Sequence, residues 1–160
     1  MSLDATRENI FQNDIIGQLQ NSGWVLGTAK HYDRENALYC VDVLSFVQNT
    51  QEEEWKKFCQ NYPIDSDTKF IELLVVQLKK ADINATDQAS RSYGTLGVLR
   101  HGIKIKNARF KLCQFKPEHD LNPDTLARYK QNICRVVPEL VYSPYATKAE
   151  MEATGKQAKK

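Results

Sequence analysis

Apolar residues recur at helical spacing from the start of the chain. Ile10, Ile15, Ile16 and Leu19 form one stripe that Phe11 widens, so a helix capped by Thr6 is predicted to about Asn21, with Gly23 ending it. Residues 24–26 read as a short strand or buried turn, and a polar loop follows at His31-Tyr32-Asp33-Arg34. Residues 38–47 give two answers. Leu38, Cys40, Leu44 and Phe46 alternate as in a strand, whereas Asp42 is placed to open a short helix. Thr50 with Glu53 makes a capping box, which predicts a helix over residues 51–60 that buries Trp55 and Phe58 and stops at Asn61-Tyr62-Pro63. Ser66 and Asp67 mark another start. Phe70, Leu73, Leu74, Gln77, Leu78 and Ala81 then keep the helical period, with Lys79 and Lys80 near the negative end of the dipole.

Beyond Ser92 the pattern changes to glycine punctuation and two-residue alternation. Strands are predicted near residues 95–99, 103–105 and 108–115. In the last of these Arg109, Lys111, Cys113 and Phe115 share one face, while Ala108, Phe110 and Leu112 take the other. Asn122-Pro123-Asp124 is a helix start, because Asn caps, Pro suits the first helical position and Asp complements the dipole. Leu126 and Tyr129 would face inward, the apolar run after Asn132 reads as a further strand, and residues 147–160 are polar enough to fray. The predicted class is α/β of the mixed α+β kind: N-terminal helices followed by a mixed β-sheet, in one domain over residues 1–146.

Composition narrows this picture. A chain of 160 residues can bury one ordinary core, and 41% hydrophobic with 26% charged residues describes a globular protein. No apolar run approaches the roughly 18 residues that cross a bilayer, so no membrane partner is expected, and the first residues lack a signal core, which favours a cytoplasmic location. Cys40, Cys59, Cys113 and Cys134 are far apart and are expected to be buried thiols; with His31, His101 and His119 equally scattered, a metal site built on Cys or His is not expected.

Charge is the most informative feature. Residues 88–117 hold seven Lys or Arg and no Asp or Glu, although the whole chain carries a net charge of only +2. Such a one-sided segment points to a polyanionic partner. The candidate nucleic-acid contacts are Arg100, His101, Lys104, Lys106, Arg109, Lys111 and Lys116, with Arg91 at the start of the run. The ordinary alternative is a sheet edge kept soluble by lysines. Other chemistry finds little support. Asp42 with Glu54-Trp55-Lys56 matches the spacing of a metal-dependent nuclease, but on a helix residues two apart diverge by about 200°, so a solvated helix face is the better reading. Neither a G-x-S-x-G elbow nor a phosphate-cradling Gly-Lys-Ser/Thr loop occurs, so ATP binding is not encoded.

Three longer strings resemble a known family. They are Arg91-Ser92-Tyr93-Gly94-Thr95-Leu96-Gly97-Val98-Leu99-Arg100-His101-Gly102, then Asn107-Ala108-Arg109-Phe110-Lys111-Leu112-Cys113-Gln114-Phe115-Lys116-Pro117, then Leu121-Asn122-Pro123-Asp124-Thr125-Leu126-Ala127-Arg128-Tyr129. With Glu8, Gly23-Trp24, His31-Tyr32-Asp33-Arg34 and Trp55, they resemble the N-terminal region of the R (restriction) subunit of type I restriction enzymes, over about residues 7–142. The resemblance implies the leading part of a PD-(D/E)xK nuclease domain, with an incomplete restriction-endonuclease-like core. It also implies double-stranded DNA and the modification and specificity subunits as partners, Mg²⁺ in the complete domain, and ATP in the full-length subunit but not on this chain. Glu8 would correspond to a catalytic-site acid on the first helix, and residues 38–47 tip toward helix. The family's metal-binding Asp and Glu-x-Lys lie on an apolar hairpin, and residues 143–160 contain no apolar strand. The chain is therefore expected to lack nuclease activity alone. A non-catalytic module that holds DNA phosphates or docks a subunit is the alternative reading.

Overall fold

The computed structural model describes residues 3–80, 94–119 and 121–140. Its elements run α1 (Leu3–Asn21), β1 (Val25–Leu26), α2 (Cys40–Thr50), α3 (Glu52–Asn61), α4 (Ser66–Lys79), α5 (Gly94–His101), β2 (Ile103–Ile105), β3 (Ala108–Phe110), α6 (Pro123–Lys130) and β4 (Arg135–Val136). The class is mixed α/β, as predicted. Arg91 and the tail at 147–160 lie outside the described residues. Two compact units form, one from Met1–Tyr39 with Cys134–Lys160, the other from Cys40–Ile133.

In the first unit β1 and β4 pair in parallel, Val25 opposite Arg135 and Leu26 opposite Val136. Arg135 fastens this pair twice: its guanidinium lies over the Tyr39 ring at 4.3 Å and donates to the Leu26 carbonyl at 3.2 Å. The loop at His31-Tyr32-Asp33-Arg34 is organised by a carboxylate. Asp33 accepts from the backbone N–H of Glu35 and Asn36 and from the Asn36 side chain, which closes the turn that brings Leu38 back to Asp33. Among the apolar residues of α1, Ile10, Phe11 and Ile15 depart from expectation at 64%, 66% and 40% exposed, and Val25 and Leu26 are exposed as well, so within residues 24–26 the strand is Val25–Leu26 and it is not a buried one. Helix α1 starts at Leu3, which puts Thr6 inside the helix and not at its cap.

Every buried apolar side chain among the described residues belongs to the second unit. Phe58 from α3, Phe70 from α4 and Phe110 from β3 meet edge to face, with centroids 5.0 to 5.9 Å apart, and Trp55 stacks on Phe58 at 5.3 Å. Edge-to-face contacts set the positive ring edge against the negative face, which adds direction to ordinary apolar burial. Strands β2 and β3 form an antiparallel hairpin with Ile103 opposite Phe110 and Ile105 opposite Ala108. All four of these side chains are buried against the aromatic cluster, while Lys104 and Arg109, directly opposite each other, point outward. The two-residue turn needs a positive φ at its first central position, which Lys106 supplies at 53°. That turn is tied to α3 by Lys106 over the Tyr62 ring and by Asn61 donating to Asn107.

Several local expectations change. Residues 38–47 resolve to helix in α2. The capping box is not made: Thr50 donates to the Phe46 carbonyl at the end of α2, and the N-cap of α3 is Gln51, with no side-chain bond of its own to the helix. Helix α4 is preceded by Asp65 in the left-handed region, and Ser66 bonds back to the Tyr62 carbonyl instead of capping. The predicted strand at 95–99 is the helix α5. Its C-terminus follows helical rules, with Arg100 and His101 in the last turn and Gly102 at φ 73° donating to the Val98 carbonyl. By contrast, Asn122 caps α6 as expected, accepting from Asp124 and Thr125. The thiols are not the four buried groups expected: Cys134 is exposed, the other three are half-buried, and all are free.

Candidate nucleic-acid interface

Strand β3 was expected to run to Phe115 but ends at Phe110, because side-chain amides take over its hydrogen bonds. The buried Gln51 accepts from the Lys111 N–H at 2.7 Å and donates to the Lys111 carbonyl at 2.9 Å, as a neighbouring strand would. Asn132 does the same for Gln114, accepting at 3.0 Å and donating at 2.6 Å. Glu54 adds a third contact by accepting from the Arg109 N–H at 2.6 Å. The β3 edge of the hairpin is thus closed by side chains from Gln51 and α3, and Lys111 is not needed to blunt it.

This closure has an electrostatic consequence. A cleft of about 750 Å³ opens between the first turn of α3 and the outward face of the hairpin. His101, Lys104, Arg109, Lys111 and Arg128 line it on the cationic side, and Glu52, Glu53 and Glu54 on the other. The carboxylates are engaged within their own helix, since Lys56 pairs with Glu52 and Glu53 and Lys57 with Glu54. Lys104 and Lys111 make no ion pair among the described residues. Of the seven candidate cations, all are exposed, but Arg100, Lys106 and Lys116 do not line the cleft, and Lys106 is held on Tyr62. Sequence reasoning missed Gln51, Glu54 and Arg128. Nothing in the local pattern marks a glutamine as a strand surrogate, and a lone arginine in a helical last turn reads as a dipole partner.

Glu8 stands exposed on α1, in the first unit, whereas the cations belong to the second. Among the described residues there is no group of three or more His, Cys, Asp or Glu side chains that could hold a metal ion. The Asp42 and Glu54-Trp55-Lys56 match dissolves as expected: Glu54 turns to Lys57 and the Arg109 N–H, Lys56 to Glu52 and Glu53.

The Glu54 carboxyl is held below the ordinary glutamate value of 4.5, first by the Lys57 hydrogen bond and then by the Arg109 N–H. A depressed folded value favours the ionised native state, so this contribution is full above the unfolded value and disappears as pH falls through the folded one. Thermal unfolding of wild type and Glu54→Gln is therefore expected to show a gap in midpoint at neutral pH that closes as pH falls below the ordinary glutamate value of 4.5. A gap of equal size at both ends would contradict the assignment.

Among described residues no helix is long and apolar enough to cross a membrane. Compared with protein-family models, curated proteins and solved structures, the chain matches none.

Proposed function

We propose that this chain is a DNA-contacting part of a type I restriction R subunit's nuclease domain, gripping duplex phosphates through the outward face of the β2–β3 hairpin and the end of α5. One observation carries the reading. Lys104 and Arg109 are cross-strand neighbours on an exposed face, an arrangement of like charges that weakens a hairpin. A surface that keeps such a pair fits an anionic partner that compensates it. The β3 edge is already closed by Gln51 and Glu54, so Arg109 and Lys111 are not needed there as a guard against strand pairing.

The family resemblance supplies the rest of the proposal: duplex DNA as the ligand, modification and specificity subunits as partners, and a cytoplasmic setting. Glu8 as a catalytic-site acid belongs to the same proposal. Mg²⁺-dependent cleavage and ATP-driven movement would be properties of the complete enzyme. A non-catalytic phosphate-binding module shares the same surface.

Salt dependence tests the shared element. Each phosphate neutralised contributes about 0.9 to the slope of log affinity against log salt. The triple substitution Lys104→Ala, Arg109→Ala, Lys111→Ala is expected to flatten that slope by about 2.7 for three lost contacts, measured by anisotropy on a labelled duplex. An unchanged slope would remove this face from the reading.

A further inference from the structure

The cleft beside the hairpin holds one cation whose hydrogen bonding is incomplete. Arg128 reaches it from α6, outside the basic segment, and its Nε is buried with no acceptor. That nitrogen is occluded from solvent, so a ligand would have to meet the remaining guanidinium N–H groups. Guanidinium is also the side-chain group whose planar fork matches two phosphate oxygens, a geometry that an ammonium lacks. His101, Lys104 and Lys111 add positive charge on the same side.

The opposite wall has different chemistry. Glu52 and Glu53 are exposed carboxylates at the cleft; both lie beside Lys56, and each carboxylate keeps further acceptor positions and no donor when ionised. A ligand suited to both walls carries an anion at one end and an amino donor at the other. A nucleotide has this form, because cytosine N4 and adenine N6 donate to carboxylates while the phosphate lies a sugar away. A volume of about 750 Å³ admits a nucleotide but not a duplex.

We propose that this cleft binds a single unpaired nucleotide of a DNA strand, its phosphate anchored by Arg128 and the amino group of its base facing Glu52 and Glu53. The inference rests on the proposed DNA contact and deepens it, because an unpaired strand, not the duplex, enters the cleft. The cationic hairpin would hold the neighbouring backbone.

The full chain is titrated with short 3′-labelled oligodeoxycytidylate and oligodeoxythymidylate, which differ in the exocyclic amine. The cytosine oligomer is expected to bind about fivefold or more tightly. Arg128→Lys keeps the charge but loses the fork, and is expected to weaken cytosine binding about tenfold. Lys104→Ala removes one diffuse charge and should cost about two- to threefold at moderate salt. Equal affinity for the two oligomers, which requires no variant, overturns the proposal. So does Arg128→Lys, folded by circular dichroism, binding within about twofold of wild type. If duplex binding stays steeply salt-dependent in either case, the DNA contact stands and only the nucleotide site falls. If no oligomer and no duplex binds in a salt-dependent way, both fail together.

Discussion

Gly102→Ala is expected to unfold the second unit at markedly lower temperature and to take DNA binding with it. Gly102 sits between α5 and β2 at φ 73°, and a Cβ there would lie 2.1 Å from the Phe110 carbonyl oxygen. That atom is backbone, fixed by the hairpin pairing of Ile103 with Phe110, so no side chain can swing aside to make room. The left-handed conformation costs an L-residue about 1–2 kcal/mol and forced overpacking about 1–3 kcal/mol more, so a loss near 3 kcal/mol is expected. Gly94→Ala separates the two causes. Gly94 has a similar φ of 71°, but its added Cβ would meet the Lys80 carbonyl at an ordinary 3.6 Å. It should therefore show the conformational part alone, about 1–2 kcal/mol. Equal losses in the two variants would show that the close approach to Phe110 is unimportant.

Phe58→Ala is expected to be the most damaging single change in the core, at about 3–5 kcal/mol, a large part of the stability of an ordinary domain. Phe58 is fully buried and faces Trp55, Tyr62, Phe70 and Phe110, whose centroids lie 5.0 to 5.9 Å away. Removing its ring leaves a cavity bounded by rigid aromatic neighbours that are poorly placed to collapse into it. The hairpin rests on this cluster through Phe110, so the cationic face should lose its order as the core loosens. Urea unfolding followed through the fluorescence of Trp55, which stacks on Phe58, reads the loss directly. A change below about 1 kcal/mol would mean that the cluster is not the stabilising centre of this unit.

Much of the architecture is legible from local pattern. The Asn122-Pro123-Asp124 start needs only its own residues to cap α6, and it is found as expected. Helix α4 follows its apolar period, and the short hairpin strand Ile103–Ile105 emerges from alternation. Misreadings arise where neighbouring residues allow two structures. At 95–99 the alternation of Leu96 and Val98 looks like a strand, yet the basic last turn and Gly102 carry a helix-ending signal that alternation obscures. At Thr50 a capping box competes with a bond to Phe46 inside the preceding helix, and the bond wins because Thr50 is still the last residue of α2, four residues on from Phe46, with Gln51 left to precede α3.

The binding surface divides along the same line. Exposure of Lys104, Arg109 and Lys111 opposite a buried row of Ile103, Ile105, Ala108 and Phe110 follows from the two-residue period of a strand, and the sequence alone determines it. It also determines the mixed α/β class and the concentration of cations in one segment. Only the tertiary structure decides that Gln51 and Glu54 replace a neighbouring strand at β3, that Arg128 joins the cations from a distant helix, and that Ile10, Phe11 and Ile15 of α1 are exposed. Those outcomes depend on which segments meet in space. Periodicity states which way a side chain points, but whether something lies there to receive it depends on residues far along the chain.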